Sequence, residues 1–174
     1  MTTTDTSPAE APAIVPDFGD DSGDRKICFI CSKGSLDMAY PALIMANGAL
    51  SEGVETHLFF TFWGMDMITK KRMGDLKFTI LGNPAAHMPM GLGGLPGMTA
   101  MATRMMKKQI ADLDVPEVPE FLEMLTEMGA NLWACKMSVD MMDLDEDDLY
   151  EGVQGVINVG EFIELSEGAQ VIFI

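Results

Sequence analysis

"KICFICSKGSLD", Lys26 to Asp37, sets an apolar run against a turn of Ser32, Lys33, Gly34 and Ser35, with Cys28 and Cys31 three residues apart inside the run. The run is short and ends in turn-forming residues, which is the pattern of a buried strand. Beyond it, Leu36, Tyr40, Leu43 and Leu50 recur at helical spacing. The stretch therefore predicts a strand over 25–31 feeding a helix over 36–50. Pro41 is tolerated in that helix only if it lies at or near the first turn, so the helix is expected to begin near Asp37.

The same stretch raises a redox question. Two strand residues three apart point to opposite faces, with alpha carbons about 10 Å apart, beyond the roughly 7 Å limit for a disulfide. Redox and metal CxxC pairs place the first cysteine at a turn or helix start instead, where a thiolate meets the positive dipole end. Cys28 is expected to be an inert buried thiol. Cys31 stands at the carboxyl end of its strand, where open parallel sheets place their sites.

Working outward, "VETHLFFTFWG" is a second strand rich in aromatic and branched residues, and Gly64 turns it into a short helix around Met65 to Met73. Leu76 to Leu81 reads as a third strand, and "GNPAAHMPMGLGGLPG" as a long loop. Two amphipathic helices follow. One presents Met98, Met101, Met105 and Ile110, the other Phe121, Leu122, Leu125 and Met128. "NLWACKMS" and "VQGVI" are strands, "VGEFIELSEG" a helix, and "QVIFI" a last strand. Strands alternating with helices indicate a mostly parallel sheet with helices on both faces.

Length and charge bound the rest. The chain has 174 residues, 48% of them hydrophobic, which suits one domain. Residues 1–24 carry Asp5, Glu10, Asp17, Asp20, Asp21 and Asp24 without a Lys or Arg, among prolines, and are expected to be a disordered acidic tail. Residues 25–174 form the domain. The net charge of -16 argues against nucleic acid. Three cysteines without disulfide spacing, and no export signal in the acidic tail, point to the cytoplasm. The uncharged stretch from Phe78 to Thr103 is broken by Pro84, Pro89 and Pro96, against a membrane-spanning helix.

Few residues carry chemistry. Cys135 ends "NLWAC" and precedes Lys136 and Ser138, with Ser138 placed to cap a helix starting near Val139 or Asp140. A helix start and an adjacent ammonium lower a thiol pKa, so Cys135 is the best nucleophile in the chain. On residue chemistry alone a buried structural thiol is an equal alternative. "GLGGLPG" lacks the context of a dinucleotide fingerprint. Asp143, Asp145 and Asp147 begin like a calcium loop, but Asp148 and Gln154 stand where Gly and Glu belong. With His57 on a strand and His87 in the long loop, no metal is expected. The seventeen methionines read as core and interface.

"SKGSLD", "FFTFWG", "LPGM" and "ACKMSVDMM" together resemble the DsrE/DsrF-like family of small sulfur-trafficking proteins, in its DsrE-like, "peroxiredoxin-like" subgroup, over about residues 25–174. The resemblance implies a three-layer α/β fold similar to flavodoxin and Rossmann domains, assembly into homo-oligomers, and no cofactor. It implies that Cys135 accepts sulfane sulfur as a persulfide and relays it to another thiol, with Ser138 matching the serine of a Cys-x-x-Ser pattern. Donor and acceptor proteins or small persulfides are the expected partners. Cys31, Ser138, Lys136, Trp63, Lys33 and His87 are expected to line or support one pocket with Cys135. The alternative is a non-catalytic assembly subunit whose uncharged loop and methionine-rich helices pack on copies of itself or on a membrane-associated partner.

Overall fold

The computed structural model describes residues 25–79 and 95–174. Five parallel strands, β1 (Lys26–Cys31), β2 (Glu55–Phe60), β3 (Asn131–Cys135), β4 (Val153–Ile157) and β5 (Gln170–Phe173), form one sheet in the order β4-β3-β2-β1-β5. The intervening helices are α1 (Leu36–Ser51), α2 (Met98–Ala111), α3 (Val118–Glu127), α4 (Lys136–Met141) and α5 (Val159–Leu165). The expected three-layer α/β arrangement is present. His87, most of the glycine-rich loop and the acidic tail lie outside the described residues.

Register decides what each face receives. Cys31 pairs with Phe60 and Phe60 with Ala134, while Cys135 pairs with Ile157. Because side chains alternate, Phe29, Cys31, Leu58, Phe60, Leu132 and Ala134 face the main core against α1 and α3. Cys28, Phe59 and Cys135 face the other side, where α5 packs through Phe162, its ring stacked on Phe59 at 4.5 Å between centroids. The layers are unequal. Helices α1, α2, α3 and α4 all place buried side chains in the first, whereas on the second Ile163, Val171 and Phe173 stay exposed.

Several elements differ from the sequence expectation. Residues 76–79 are not a strand, although Leu76 and Phe78 alternate inward. Their backbone groups are taken by helices instead: Lys77 accepts from the Leu36 N–H, and Phe78 exchanges bonds with the Thr103 hydroxyl. Burial alternation without a ladder mimics a strand in sequence. The helix expected at Met65 to Met73 is a 3-10 helix at Phe62–Met67. Helix α1 starts at Leu36 with Ser35 in the capping position, so Pro41 sits just past the first turn and removes one helical hydrogen bond.

On α2 the expected stripe is split. Met98 and Ile110 pack against the core at its ends, but Met101 and Met105 are exposed, and the middle of the helix buries Ala102 and Thr103 instead. On α3 the expected Phe121, Leu122 and Leu125 are buried, but Met128 is exposed beyond the helix end.

Candidate functional site

Cys135 is the last residue of β3, and α4 begins directly after it at Lys136, ahead of the expected Val139 or Asp140. Ser138 is therefore inside α4 rather than capping it. Its hydroxyl is fully buried, accepts a 2.8 Å bond from the Phe62 N–H and lies 3.2 Å from the Thr61 hydroxyl. Thr61 follows β2 directly and so reaches the same point as Cys135 on the neighbouring strand. Phe62 adopts a left-handed conformation, φ 46°, which turns the chain sharply there and aims its N–H at Ser138.

This arrangement sets the ionisation of Cys135. Burial by itself raises the thiol pKa. Hydrogen bonds from the Thr61 and Ser138 side chains and from the Ser138 and Met137 backbone outweigh it, and the net shift is downward. The Lys136 ammonium, expected to help, instead pairs with Asp140 one helical turn on. Cys135 lines a recess of about 290 Å³ with Lys136, Met137, Asp140, Asn158 and Val159. Asn158 is fixed there by reciprocal bonds with Glu161 at the start of α5. The recess opens beside a thiol whose charged form its neighbours favour.

The structure brings together only part of the expected pocket. Cys135 and Lys136 line one recess, and the buried Ser138 bonds to Cys135 from behind it. Cys31 is on the opposite face of the sheet, enclosed by the main core, where burial pushes its thiol up to about 12. It does not meet Cys135. Its contribution to the region is its carbonyl, which accepts from the Thr61 N–H at 3.0 Å. Lys33 and Trp63 line a different cleft, described below. Cys28 is buried, and its pKa is raised by burial first. His57 is buried, bonded to Glu55 and to the Trp133 indole.

Thr61, Asn158 and Met137 were missed from sequence. Thr61 was findable, because it ends the apolar run of "FFTFWG" on a strand that an alternating α/β order places beside β3. Among the described residues no group of three or more His, Cys, Asp or Glu side chains is arranged to hold a metal. Asp145 and Asp148 close a small turn, the Asp145 N–H donating to the Asp148 carboxylate, rather than forming a calcium loop. No helix among the described residues is long and apolar enough to cross a membrane.

A family model described as DsrE/DsrF/DrsH-like matches residues 23–174. The chain belongs to that family. It is 38% identical over 138 residues to "Sulfur carrier protein DsrE2" of Allochromatium vinosum, covering 75% of this chain and 86% of that one. It is 28% identical over 156 residues to the uncharacterised YrkE of Bacillus subtilis, covering 86% and 97% respectively. The fold is shared with MTH1491 of Methanobacterium thermoautotrophicum, a protein of unknown function, at a TM-score of 0.56 and 15% identity over 87% of this chain and all of that one.

Proposed function

We propose that this chain is a sulfur carrier that holds sulfane sulfur as a persulfide on Cys135 and relays it to another thiol. The observation that carries the reading is the ring of donors around Cys135, which lowers its pKa although the residue is almost wholly enclosed. A stabilised thiolate serves both halves of the transfer. In loading, the Cys135 thiolate attacks the outer sulfur of a persulfide donor, the donor's S–S bond breaks and the donor leaves as a thiolate. In unloading, an acceptor thiolate takes that outer sulfur and Cys135 leaves as the same stabilised thiolate. No net oxidant is needed and no cofactor enters. The relative named a sulfur carrier supports this assignment.

Donor and acceptor thiols are the partners, and the exposed Met137, Met141 and Val159 beside the recess offer an apolar rim on which a partner can seat. Reduced, unpaired cysteines suit the cytoplasm. Incubation with a persulfide or polysulfide donor is expected to add one sulfur atom to the peptide containing Cys135, read by mass spectrometry. Equal loading of the Cys135→Ser variant would refute the assignment.

A second reading, a non-catalytic assembly subunit, is favoured by the exposed Val171, Phe173 and Ile163 on the thinly covered face. It predicts a homo-oligomer by light scattering, together with a Cys135 that alkylates no faster than a free-cysteine peptide.

A further inference from the structure

A large cleft is separate from the Cys135 recess. It measures about 490 Å³ and lies at the carboxyl ends of β1 and β2, between the Lys33 to Ser35 turn, Trp63 and the segment from Lys71 to Thr79. From these features we infer that it binds a small planar organic anion, a phosphate or carboxylate borne on an aromatic ring.

Charge comes first. Lys33, Lys71, Arg72 and Lys77 line the cleft against Asp66 and Asp75, a local positive excess in a chain whose net charge is -16. Arg72 is held by Asp66 at 2.6 Å and Lys77 by Asp75, while Lys71 reaches Asp148 at 3.0 Å. Those carboxylates are spent on positioning the cations. Lys33 has no ion-pair partner among the described residues, so its ammonium is available to an incoming anion. A concave, partly dry wall strengthens such an attraction beyond that of an exposed surface pair.

Shape comes second. Trp63 is 62% exposed on the cleft wall, the larger part of its indole unused by the core. An aromatic face beside fixed cations suits a flat ring carrying a negative group. The Ser35 hydroxyl makes no capping bond to α1 and is a further donor on the same wall. The two walls are also locked together, since a Cβ on Gly34 would overlap the Trp63 carbonyl. The Lys33 turn and the Trp63 backbone therefore stand at a fixed spacing before any ligand arrives, which lowers the ordering cost of binding.

Titration calorimetry on the full chain at low ionic strength tests this, with phenyl phosphate and benzoate as planar anions and inorganic phosphate and phenol as probes of each feature alone. At least one planar anion is expected to bind about tenfold or more tighter than either single-feature probe. Lys33→Ala, an exposed substitution that leaves folding intact, is expected to weaken it by about tenfold, as is Trp63→Ala. Cys135→Ser is expected to bind as the wild type does, which separates this site from the persulfide reading. Absence of binding by both planar anions, inorganic phosphate binding as tightly as they do, or unchanged affinity in Lys33→Ala would overturn the inference.

Discussion

Cys31 and Cys135 end two strands that flank β2 in one sheet, and each is only 2% exposed, yet their thiols move in opposite directions. Cys31 is pushed up to about 12 by burial alone, whereas at Cys135 burial is outweighed by four hydrogen bonds from Thr61, Ser138 and Met137. Exposure does not distinguish them. What distinguishes them is the face of the sheet and the donors that face provides. On the main-core side Cys31 meets apolar groups; on the other, Cys135 meets two hydroxyls and the first turn of α4.

The sharpest way to break this comparison is differential alkylation. With Cys31 near 12 and Cys135 below its ordinary 9.0, thiolate at neutral pH favours Cys135 by more than about a thousandfold. Iodoacetamide under native conditions is expected to label Cys135 alone, with Cys28 and Cys31 labelled only after denaturation. Comparable native labelling of Cys31 would erase the contrast.

Next in size is Gly64→Ala. A Cβ there would overlap the Cys31 carbonyl and come within 2.7 Å of its carbonyl carbon, so backbone must move. A loss of about 3 kcal/mol or more is expected in denaturant melts. A loss under about 1 kcal/mol would show that the turn after β2 can pull away from β1 freely.

The pH dependence of stability gives a third test, with the two thiols opposed in sign. Cys31 has a raised folded-state pKa, so its contribution is complete below about 9 and is lost as pH rises toward about 12. Cys28 and Tyr40, both raised first by burial, act in the same sense. Cys135 is depressed, so its contribution is present above its unfolded value and lost as pH falls through its folded one. Alkaline melts are expected to weaken on the order of 2 kcal/mol less in Cys31→Ala than in the wild type over this window. An alkaline limb of unchanged slope would place the lability elsewhere.

The smallest effect is that of Ser138→Ala. It removes a bond to Cys135 and leaves the Phe62 N–H without its acceptor, and it should cost about 1–2 kcal/mol. The same variant should slow alkylation of Cys135 at neutral pH several-fold, because the thiol pKa rises. Slower alkylation without a shift in its pH profile would mean that the serine shapes access rather than charge.

Much of the architecture was legible in "KICFICSKGSLD", because a short apolar run followed by a turn and a helical stripe has few other folded solutions. The opposition of Cys28 and Cys31 followed from strand alternation. The relation of Cys31 to Cys135 did not, since facing depends on register between β1, β2 and β3, and a one-residue slip exchanges the faces. Leu76 and Phe78 misled because a segment strapped over helices alternates as a strand does. Met101 and Met105 misled because methionine is as acceptable on an exposed rim as in a core. The place of Cys135 at a strand end before a helix was legible from "NLWAC" and Lys136, but the groups that tune it come largely from Thr61 and the α4 backbone, and hydroxyl donors leave little trace in spacing.

Gly64 gives the resemblance carried by "FFTFWG" a particular meaning. Its hydrogen side chain is what lets two chain crossings pass at the end of the sheet, so the stretch certifies a shape and is silent on reaction. A side chain at this position would part the turn after β2 from the end of β1, and with it the Thr61 and Phe62 groups that meet Ser138, so the residue with the least side chain holds the surroundings of Cys135 in place from a distance.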